Sequence, residues 1–187
     1  MNWYNELSRR MTRTAMGRIP DLTLMSQAVQ VDVQVAAEML NVPTESDIQG
    51  WLEQVVGHVG SDMERNIEIS VRIVDEAEGR ALNRKYREQD SATNVLSFPL
   101  ADAGVPLPPA DLPLALGDIV ICGPVVVREA SEQGKESSDH WAHLLVHGAL
   151  HLFGYDHETD AEAQEMESLE TRILALGGVE NPYESRN

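Results

Sequence analysis

Cysteine is almost absent from this chain of 187 residues, which contains only Cys122. No intrachain disulfide can form, and a single thiol fits a reducing compartment. Long apolar runs are missing too, because no stretch approaches the roughly 18 uninterrupted apolar residues of a membrane-spanning helix. The N-terminal segment also lacks the apolar block of a secretory signal. The sequence therefore predicts a soluble cytoplasmic protein with no membrane association.

Basic residues are scarce, with 14 Lys and Arg against 31 Asp and Glu and a net charge of −17. General nucleic-acid binders neutralise phosphates with Lys and Arg, so this balance argues against that class. The basic residues are unevenly spread, however, and the segment after His157 is dominated by acidic residues. A polyanion would have to bind at a local basic cluster, against an unfavourable overall field. That cluster consists of Arg72, Arg80, Arg84, Lys85 and Arg87.

The chain is long enough and apolar enough (42% hydrophobic) for one domain with a proper core. Residues 1–30 show weak periodicity, and we expect a poorly packed N-terminal extension that could be flexible. Residues 31–187 are expected to form the single domain. Within it, the proline-dense stretch 101–115 predicts an irregular loop.

Hydrophobic periodicity predicts the elements of that domain. Alternation and short apolar runs predict four strands, and apolar stripes with helical spacing predict about five helices. The fold class is therefore α+β, a small mixed sheet with a zincin-like metal helix in the core. The predicted strands are 31–35, 67–73, 94–98 and 118–122, and the predicted helices are 44–60, 75–86, 124–134, 138–154 and 160–176.

Several details of the helices follow from residue type. Asp75 and Glu78 have the spacing of a capping box, and Ser138 is placed to cap the most apolar helix. Gly57 and Gly60 are expected to close the first helix. In the second helix Ala81, Leu82 and Tyr86 are the expected inward positions, and in the last helix these are Met166, Leu169 and Ile173.

Three histidines form the central signal of the sequence. His147 and His151 are four residues apart on a predicted helix, so they project from one face with about 6 Å of axial rise between them. Gly154 can adopt a left-handed conformation and end the helix, after which His157 can return over the same ion. Three imidazoles leave a fourth position for water, the pattern of a catalytic zinc. We expect one Zn²⁺ per chain at these residues.

Two other interpretations of this segment are less favourable. A triplet of His143, His147 and His151 would separate its outer members by about 12 Å along the helix, too far for one ion, so His143 is expected behind the ligands or near the substrate. The alternative to a metal site is that these are ordinary buried histidines of an amphipathic helix. However, packing gives no reason to repeat imidazoles on one helix face. Gly148 occupies the position where H-E-x-x-H peptidases have a glutamate base, which disfavours peptide hydrolysis.

Five segments of the chain resemble the YbeY family of bacterial endoribonucleases and ribosomal-RNA maturation factors. The resemblance runs from about Val31 to Tyr183 and does not cover residues 1–30. It implies zinc bound by His147, His151 and His157, and an important active-site role for Arg72. The segments are S-V-R-I-V-D-E-A-E around Arg72, L-N-R-K-Y-R at 82–87, A-T-N-V-L-S-F-P at 92–99, L-G-D-I-V-I-C at 116–122 and H-W-A-H-L-L-V-H-G-A-L-H-L-F-G-Y-D-H at 140–157.

The resemblance also implies a substrate and partners. These are single-stranded ribosomal RNA and components of the small ribosomal subunit, in rRNA maturation and ribosome quality control. Nothing in composition or spacing indicates RNA. In this setting Arg72 would hold the scissile phosphate with its planar fork of donors.

For the other candidate site residues, the sequence leaves two roles open. Arg84, Lys85 and Arg87 either steer backbone phosphates or form a solvated helix face. Asp156 either orients a ligand imidazole or serves as a turn residue. For the whole protein, the alternatives to the endoribonuclease are a zinc-dependent hydrolase of another substrate and a non-enzymatic, zinc-stabilised ribosome assembly factor.

Overall fold

A computed structural model describes residues 28–36, 41–61, 63, 65–104 and 106–184. Within these residues there are four strands, five α-helices and one short 3₁₀ helix, so the α+β prediction is confirmed. No helix in this part of the chain is long and apolar enough to cross a membrane. The elements are β1 Val29–Val35, α1 Glu45–Val59, β2 Ile67–Val74, α2 Glu76–Arg87, β3 Val95–Pro99, the 3₁₀ helix Leu100–Ala103, β4 Leu114–Cys122, α3 Gly123–Glu132, α4 Ser137–Leu152 and α5 Asp160–Leu176.

The strands form one mixed sheet in the order β1-β2-β4-β3. Strands β1, β2 and β4 are parallel, and β3 pairs antiparallel with β4 at the edge. The first strand begins at Val29, two residues before the start of the predicted domain. Of the expected N-terminal extension, residues 1–27 lie outside the described part of the chain.

Alternation along the strands gives the sheet two different faces. On β2, the side chains of Ile67, Ile69, Val71 and Ile73 are buried in the main core together with α1 and α4. The intervening side chains, including Arg72, point to the second face. There a smaller apolar cluster is covered in part by α2 through Leu82. Arg72 and the other second-face side chains of β2 therefore lie on the opposite side of the sheet from α4.

Helix α4 is the central helix of the main core, and most of its residues are buried. It begins at Ser137, one residue before the expected cap Ser138, so that prediction is wrong. Glu136 is the N-cap, and its backbone oxygen accepts hydrogen bonds from the backbone N–H groups of Asp139 and His140, both at 3.1 Å. The backbone turn alone starts this helix, which leaves Ser138 inside it.

Helix α2 differs from the prediction in its capping and in its inward face. Asp75 caps it by accepting from the Glu78 N–H at 2.8 Å, but the Glu78 carboxylate bonds to Arg72 and does not close a capping box. Ala81 and Tyr86 are exposed, whereas Gly79 and Asn83 are buried and Leu82 is half-buried. Gly79 allows α2 to pack closely against Cys122 at the end of β4, since a Cβ at position 79 would lie 3.1 Å from Cys122 Sγ.

Two further boundaries differ from the prediction. Helix α1 ends at Val59 with Gly60 as its C-cap, and Gly57 lies within the helix. The proline-dense stretch is irregular in its middle, but its ends belong to the 3₁₀ helix and to β4, which begins at Leu114. At the second end, Leu114 and Ala115 pair with Ile67 and Glu68 of β2, which stabilises the strand despite the nearby prolines.

Candidate metal centre

The end of α4 brings the three histidines together. His147 and His151 lie on consecutive turns of the helix, which ends at Leu152. Gly154 has a φ of +82°, and the N–H groups of Gly154 and Tyr155 donate to the backbone oxygens of His151 and Leu150 at 2.9 and 3.1 Å. This left-handed glycine cap turns the chain back along the helix. As a result, the ring of His157 returns beside the other two.

The geometry of the three rings suits a shared ion. His147 Nε2 and His151 Nε2 are 3.1 Å apart, and one ligand atom from each of the three residues lies within 4.8 Å of the others. Tetrahedral zinc with Zn–N bonds of about 2.1 Å requires nitrogen separations of about 3.4 Å. The three residues therefore could hold a metal ion, and small side-chain adjustments would give the tetrahedral separations.

The buried position of His151 favours the neutral imidazole that a metal ligand requires. Burial, the largest cause, and the positive charge that His147 and His157 could carry together lower the pKa of His151 to about 4. The imidazole is consequently neutral at pH 7, and a neutral ring has the free lone pair that a metal ion requires.

Glu170 belongs to the same cluster and was not predicted from the sequence. Its side chain comes from α5 and is fully buried. Its carboxylate accepts from His147 Nδ1 at 2.8 Å, from His143 Nε2 at 3.1 Å and from the Tyr183 hydroxyl. Burial, the largest single effect, would raise the pKa of Glu170, but the hydrogen bonds from His143, His147 and Tyr183 and the charge of His147 together outweigh it and lower the pKa to about 2.

The sequence contains a spacing pattern that indicates burial of Glu170, although the many acidic residues around it are typical of an exposed helix. Helix α5 is rich in Glu, which indicates a solvated helix. However, positions 166, 170 and 173 are spaced four and three residues apart, and so share one face. The structure buries Met166, Glu170 and Ile173 together. It also leaves Leu169, one of the predicted inward residues, only partly buried.

His143 and Asp156 lie beside the three histidines in different ways. His143 is one turn before His147, and together with His147 and Glu170 it forms a second group that could hold a metal ion. Asp156 accepts from the backbone N–H of His157 at 2.8 Å, which is a turn contact next to the ligand. This contact is to the backbone of His157 and not to its imidazole ring.

Gly148 faces the sheet. A Cβ at this position would lie 2.9 Å from Ile119 Cγ2 and 3.3 Å from Ser97 Oγ. Ser97 donates its hydroxyl hydrogen bond to the Gly148 backbone oxygen at 3.0 Å, so its role is structural. Close packing of α4 on the sheet therefore requires glycine here and leaves no room for the glutamate of an H-E-x-x-H peptidase.

Arg72 has different surroundings from the histidines. It lies on the second face of the sheet, where Nε and Nη2 donate to the Glu78 carboxylate at 2.8 and 3.2 Å and Nη1 donates to Gln34 Oε1 at 3.2 Å. Its side chain is 40% exposed. It lines a groove of about 490 Å³ whose walls, among the described residues, do not include the three histidines. The other members of this groove include Gln34, Ser70, Glu78, Tyr86, Phe98 and Asp118.

The remaining basic candidates lie on the exposed side of α2. Arg84, Lys85 and Arg87 are all exposed and occupy its last turns. Lys85 Nζ lies 4.6 Å from the centre of the Tyr86 ring and 2.9 Å from its hydroxyl. The Tyr86 ring in turn packs edge-on against Phe98 on the wall of the Arg72 groove.

Comparisons with known proteins agree on one family. Residues 32–177 match the sequence model described as "Endoribonuclease YbeY". Proteins named endoribonuclease YbeY from Halorhodospira halophila, Stutzerimonas stutzeri and Pseudomonas putida are 56%, 52% and 50% identical to this chain. These alignments cover 78%, 83% and 83% of this chain and 91%, 91% and 93% of the three relatives.

A solved structure is also similar. The solution structure of a Thermotoga maritima protein is 25% identical and covers 78% of this chain and 86% of its own, with a TM-score of 0.49. The family match and the three relatives, with the three-histidine cluster inside the matched region, establish that the chain belongs to the endoribonuclease YbeY family.

Proposed function

We propose that this protein is a zinc-dependent endoribonuclease that cleaves single-stranded RNA during small-subunit rRNA maturation and ribosome quality control. Membership of the endoribonuclease YbeY family makes the chain a hydrolytic nuclease that acts on RNA. The observation that carries the metal part of the proposal is the cluster of His147, His151 and His157 within 4.8 Å. Its partners would be ribosomal RNA and components of the small subunit in the cytoplasm.

Zinc is the ion that this donor set favours. Neutral imidazole nitrogen is a common zinc ligand, and three ligands leave one coordination position for water or a phosphate oxygen. When bound, the ion would supply a polarised phosphoryl oxygen or a bound water of lowered pKa. The chain's contribution is to present three nitrogens from two turns of a buried helix and from the segment that follows its glycine cap.

Arg72 remains our predicted catalytic residue for phosphate binding. Its guanidinium has the planar fork that matches a phosphate, and Glu78 and Gln34 accept from that fork in this structure. A phosphate entering the groove would compete with Glu78 for the same donors. The exposed Arg84, Lys85 and Arg87 lie on α2 beside the groove and would attract the RNA backbone there.

The test compares cleavage of single-stranded RNA by the wild type with and without a chelator, and by His151→Ala. We expect chelation to abolish cleavage, zinc to restore it, and His151→Ala to lose at least about 100-fold, as loss of several kcal/mol of metal stabilisation requires. A duplex of the same sequence should be cleaved poorly. Equal cleavage by the wild type and His151→Ala would contradict the proposal. Normal rRNA maturation in cells with only His151→Ala would assign the metal to the fold instead.

A further inference from the structure

The buried carboxylate of Glu170 fixes the position of a proton on His147. An ionised carboxylate can only accept hydrogen bonds, so each of its three partners must donate. His147 therefore carries a proton on Nδ1, which is 2.8 Å from Glu170 Oε1. His143 likewise carries its proton on Nε2, which is 3.1 Å from Oε2.

This proton placement decides which nitrogen of His147 is free. A neutral imidazole has one N–H, and the hydrogen bond made by one nitrogen sets the state of the other. With Nδ1 protonated, the lone pair of His147 is on Nε2. That atom is the one that faces His151, at 3.1 Å. The ring is thus held with its free lone pair directed at the three-histidine cluster.

The carboxylate itself is held in place from its other side. Oε2 of Glu170 accepts from His143 and from the Tyr183 hydroxyl, which leaves Oε1 for His147. Tyr183 is positioned by its N–H, which donates to Asn181 Oδ1 at 3.0 Å, and Asn181 also contacts Thr171 on α5 at 3.3 Å. The segment after α5 therefore folds back to complete the surroundings of Glu170.

We propose that Glu170 is a positioning residue for metal binding, which holds His147 as the Nδ1–H tautomer and orients its ring toward the ion. This inference rests on the proposed function, because it assigns the support of one ligand of the proposed site. The same residues could instead form a metal site of their own with His143. The hydrogen bonds favour the first arrangement, because Glu170 accepts from His143, His147 and Tyr183 and its carboxylate is satisfied without an ion.

The first measurement is the tautomer of His147 in the full-length, metal-free protein. Two-bond ¹H–¹⁵N correlation spectra of the ¹⁵N-histidine-labelled chain distinguish Nδ1–H from Nε2–H, and His147→Asn assigns the signals. We expect Nδ1–H in the wild type and loss of this preference in Glu170→Ala. Glu170→Gln should keep it, because the amide oxygen can still accept from Nδ1. A wild-type His147 protonated on Nε2 would overturn the proposal, whether or not the variants fold.

The second measurement is zinc affinity, by competition with a chromophoric chelator and zinc alone as the probe. Loss of an outer hydrogen-bond partner typically lowers metal affinity 10–100-fold, so we expect that range for Glu170→Ala and a smaller loss for Glu170→Gln. The matched control is Glu129→Ala, which removes a carboxylate 2.8 Å from another buried imidazole nitrogen, His140 Nε2. We expect its zinc affinity to equal that of the wild type.

The two measurements separate this inference from the proposed function. Weaker zinc binding in Glu170→Ala with His147 still protonated on Nδ1 would overturn the positioning role, as would unchanged affinity. An ion bound by His143, His147 and Glu170 would overturn it as well. If the wild type binds no zinc, the proposed function fails, and the tautomer of the metal-free protein still tests the effect of Glu170 on His147.

Discussion

At the scale of single residues, Arg72 and Arg80 form a natural comparison. Each donates to one carboxylate at 2.8 Å, Arg72 to Glu78 in the groove and Arg80 to Asp90 on the open surface. Charge-assisted hydrogen bonds contribute about 1.5–3 kcal/mol, so Arg72→Ala should lower RNA cleavage by roughly 10–100-fold. Arg80 belongs to the same basic cluster but does not line the groove. Arg80→Ala should therefore lower cleavage only by the effect of one screened surface charge, about twofold at most.

A second substitution controls for the carboxylate left behind. Arg72→Ala exposes the negative charge of Glu78, which would itself repel RNA. Combining it with Glu78→Gln removes that charge, and we expect the double variant to stay strongly impaired. Recovery to wild-type cleavage would show that Arg72 only neutralises Glu78. Single-turnover assays under identical salt conditions provide the measurement, because phosphate contacts depend on ionic strength.

His140 gives a prediction for the effect of pH on stability. Burial lowers the pKa of His140 below 6.5, and Glu129 at 2.8 Å opposes this shift without overcoming it. His143 and Lys135 also act to lower it. As the pH falls through 6.5, His140 takes up a proton in the unfolded chain before it does in the folded one, so its contribution lowers the free energy of unfolding with falling pH.

The check is chemical denaturation of the metal-free protein. We expect the loss of unfolding free energy between pH 7 and 5 to be smaller in His140→Gln than in the wild type. Between pH 7.5 and 8.5 the two proteins should show parallel curves. An equal loss in both at acid pH would contradict the assignment to His140.

At the scale of elements, the glycine cap of α4 links the fold to the site. Gly154, at φ +82°, reverses the chain so that His157 meets His147 and His151. A side chain in this left-handed conformation costs about 1–2 kcal/mol. We therefore predict that Gly154→Ala lowers both stability and zinc affinity, because the strained cap can relax only by moving the segment that carries His157.

Gly134 provides the control for that prediction. It also has a left-handed φ, +62°, and open space around the position of a Cβ. Gly134→Ala should lower stability by a similar amount and leave zinc affinity unchanged. Thermal melts and chelator competition on both variants give the comparison. Equal zinc affinities for the two variants would show that the cap does not position His157.

The elements were predictable from sequence wherever periodicity set them. Alternating Ile and Val specified β2, and the spacing of His147, His151 and Gly154 predicted the cluster, because local helix geometry sets that spacing. Glu170 was missed because its burial depends on α5 packing against α4, a contact between distant segments. The opposite placement of Arg72 and the histidines likewise depends on which sheet face each helix covers.

At the scale of the whole molecule, metal binding should stabilise the fold. The three histidines come from a buried helix and from the loop after it, so an ion would tie the two segments together only in the folded state. At zinc concentrations about 100-fold above the Kd, binding should add about 2.7 kcal/mol to the free energy of unfolding. We predict a melting temperature that rises with zinc in the wild type and hardly changes in His151→Ala. A zinc-independent melting temperature in the wild type would contradict this.

The large negative charge limits where RNA can bind. With a net charge of −17, a polyanion is repelled by most of the surface, so a local basic region must provide the contacts. Arg84, Lys85 and Arg87 are exposed near the Arg72 groove, whereas α5 is strongly acidic. The basic region on the second face of the sheet is consequently the part of the described chain best suited to bind the RNA backbone. Because the three histidines lie on the other side of the sheet, an RNA strand cleaved there would have to pass the sheet edge to contact this region.

The most direct measurement is the anomalous scattering of zinc in a crystal of the zinc-loaded protein. We predict one ion per chain, bonded to Nε2 of His147, Nε2 of His151 and a ring nitrogen of His157 at about 2.1 Å, with water or another exchangeable ligand completing the coordination. An ion bound elsewhere, or one closed off by a fourth protein atom, would contradict the account.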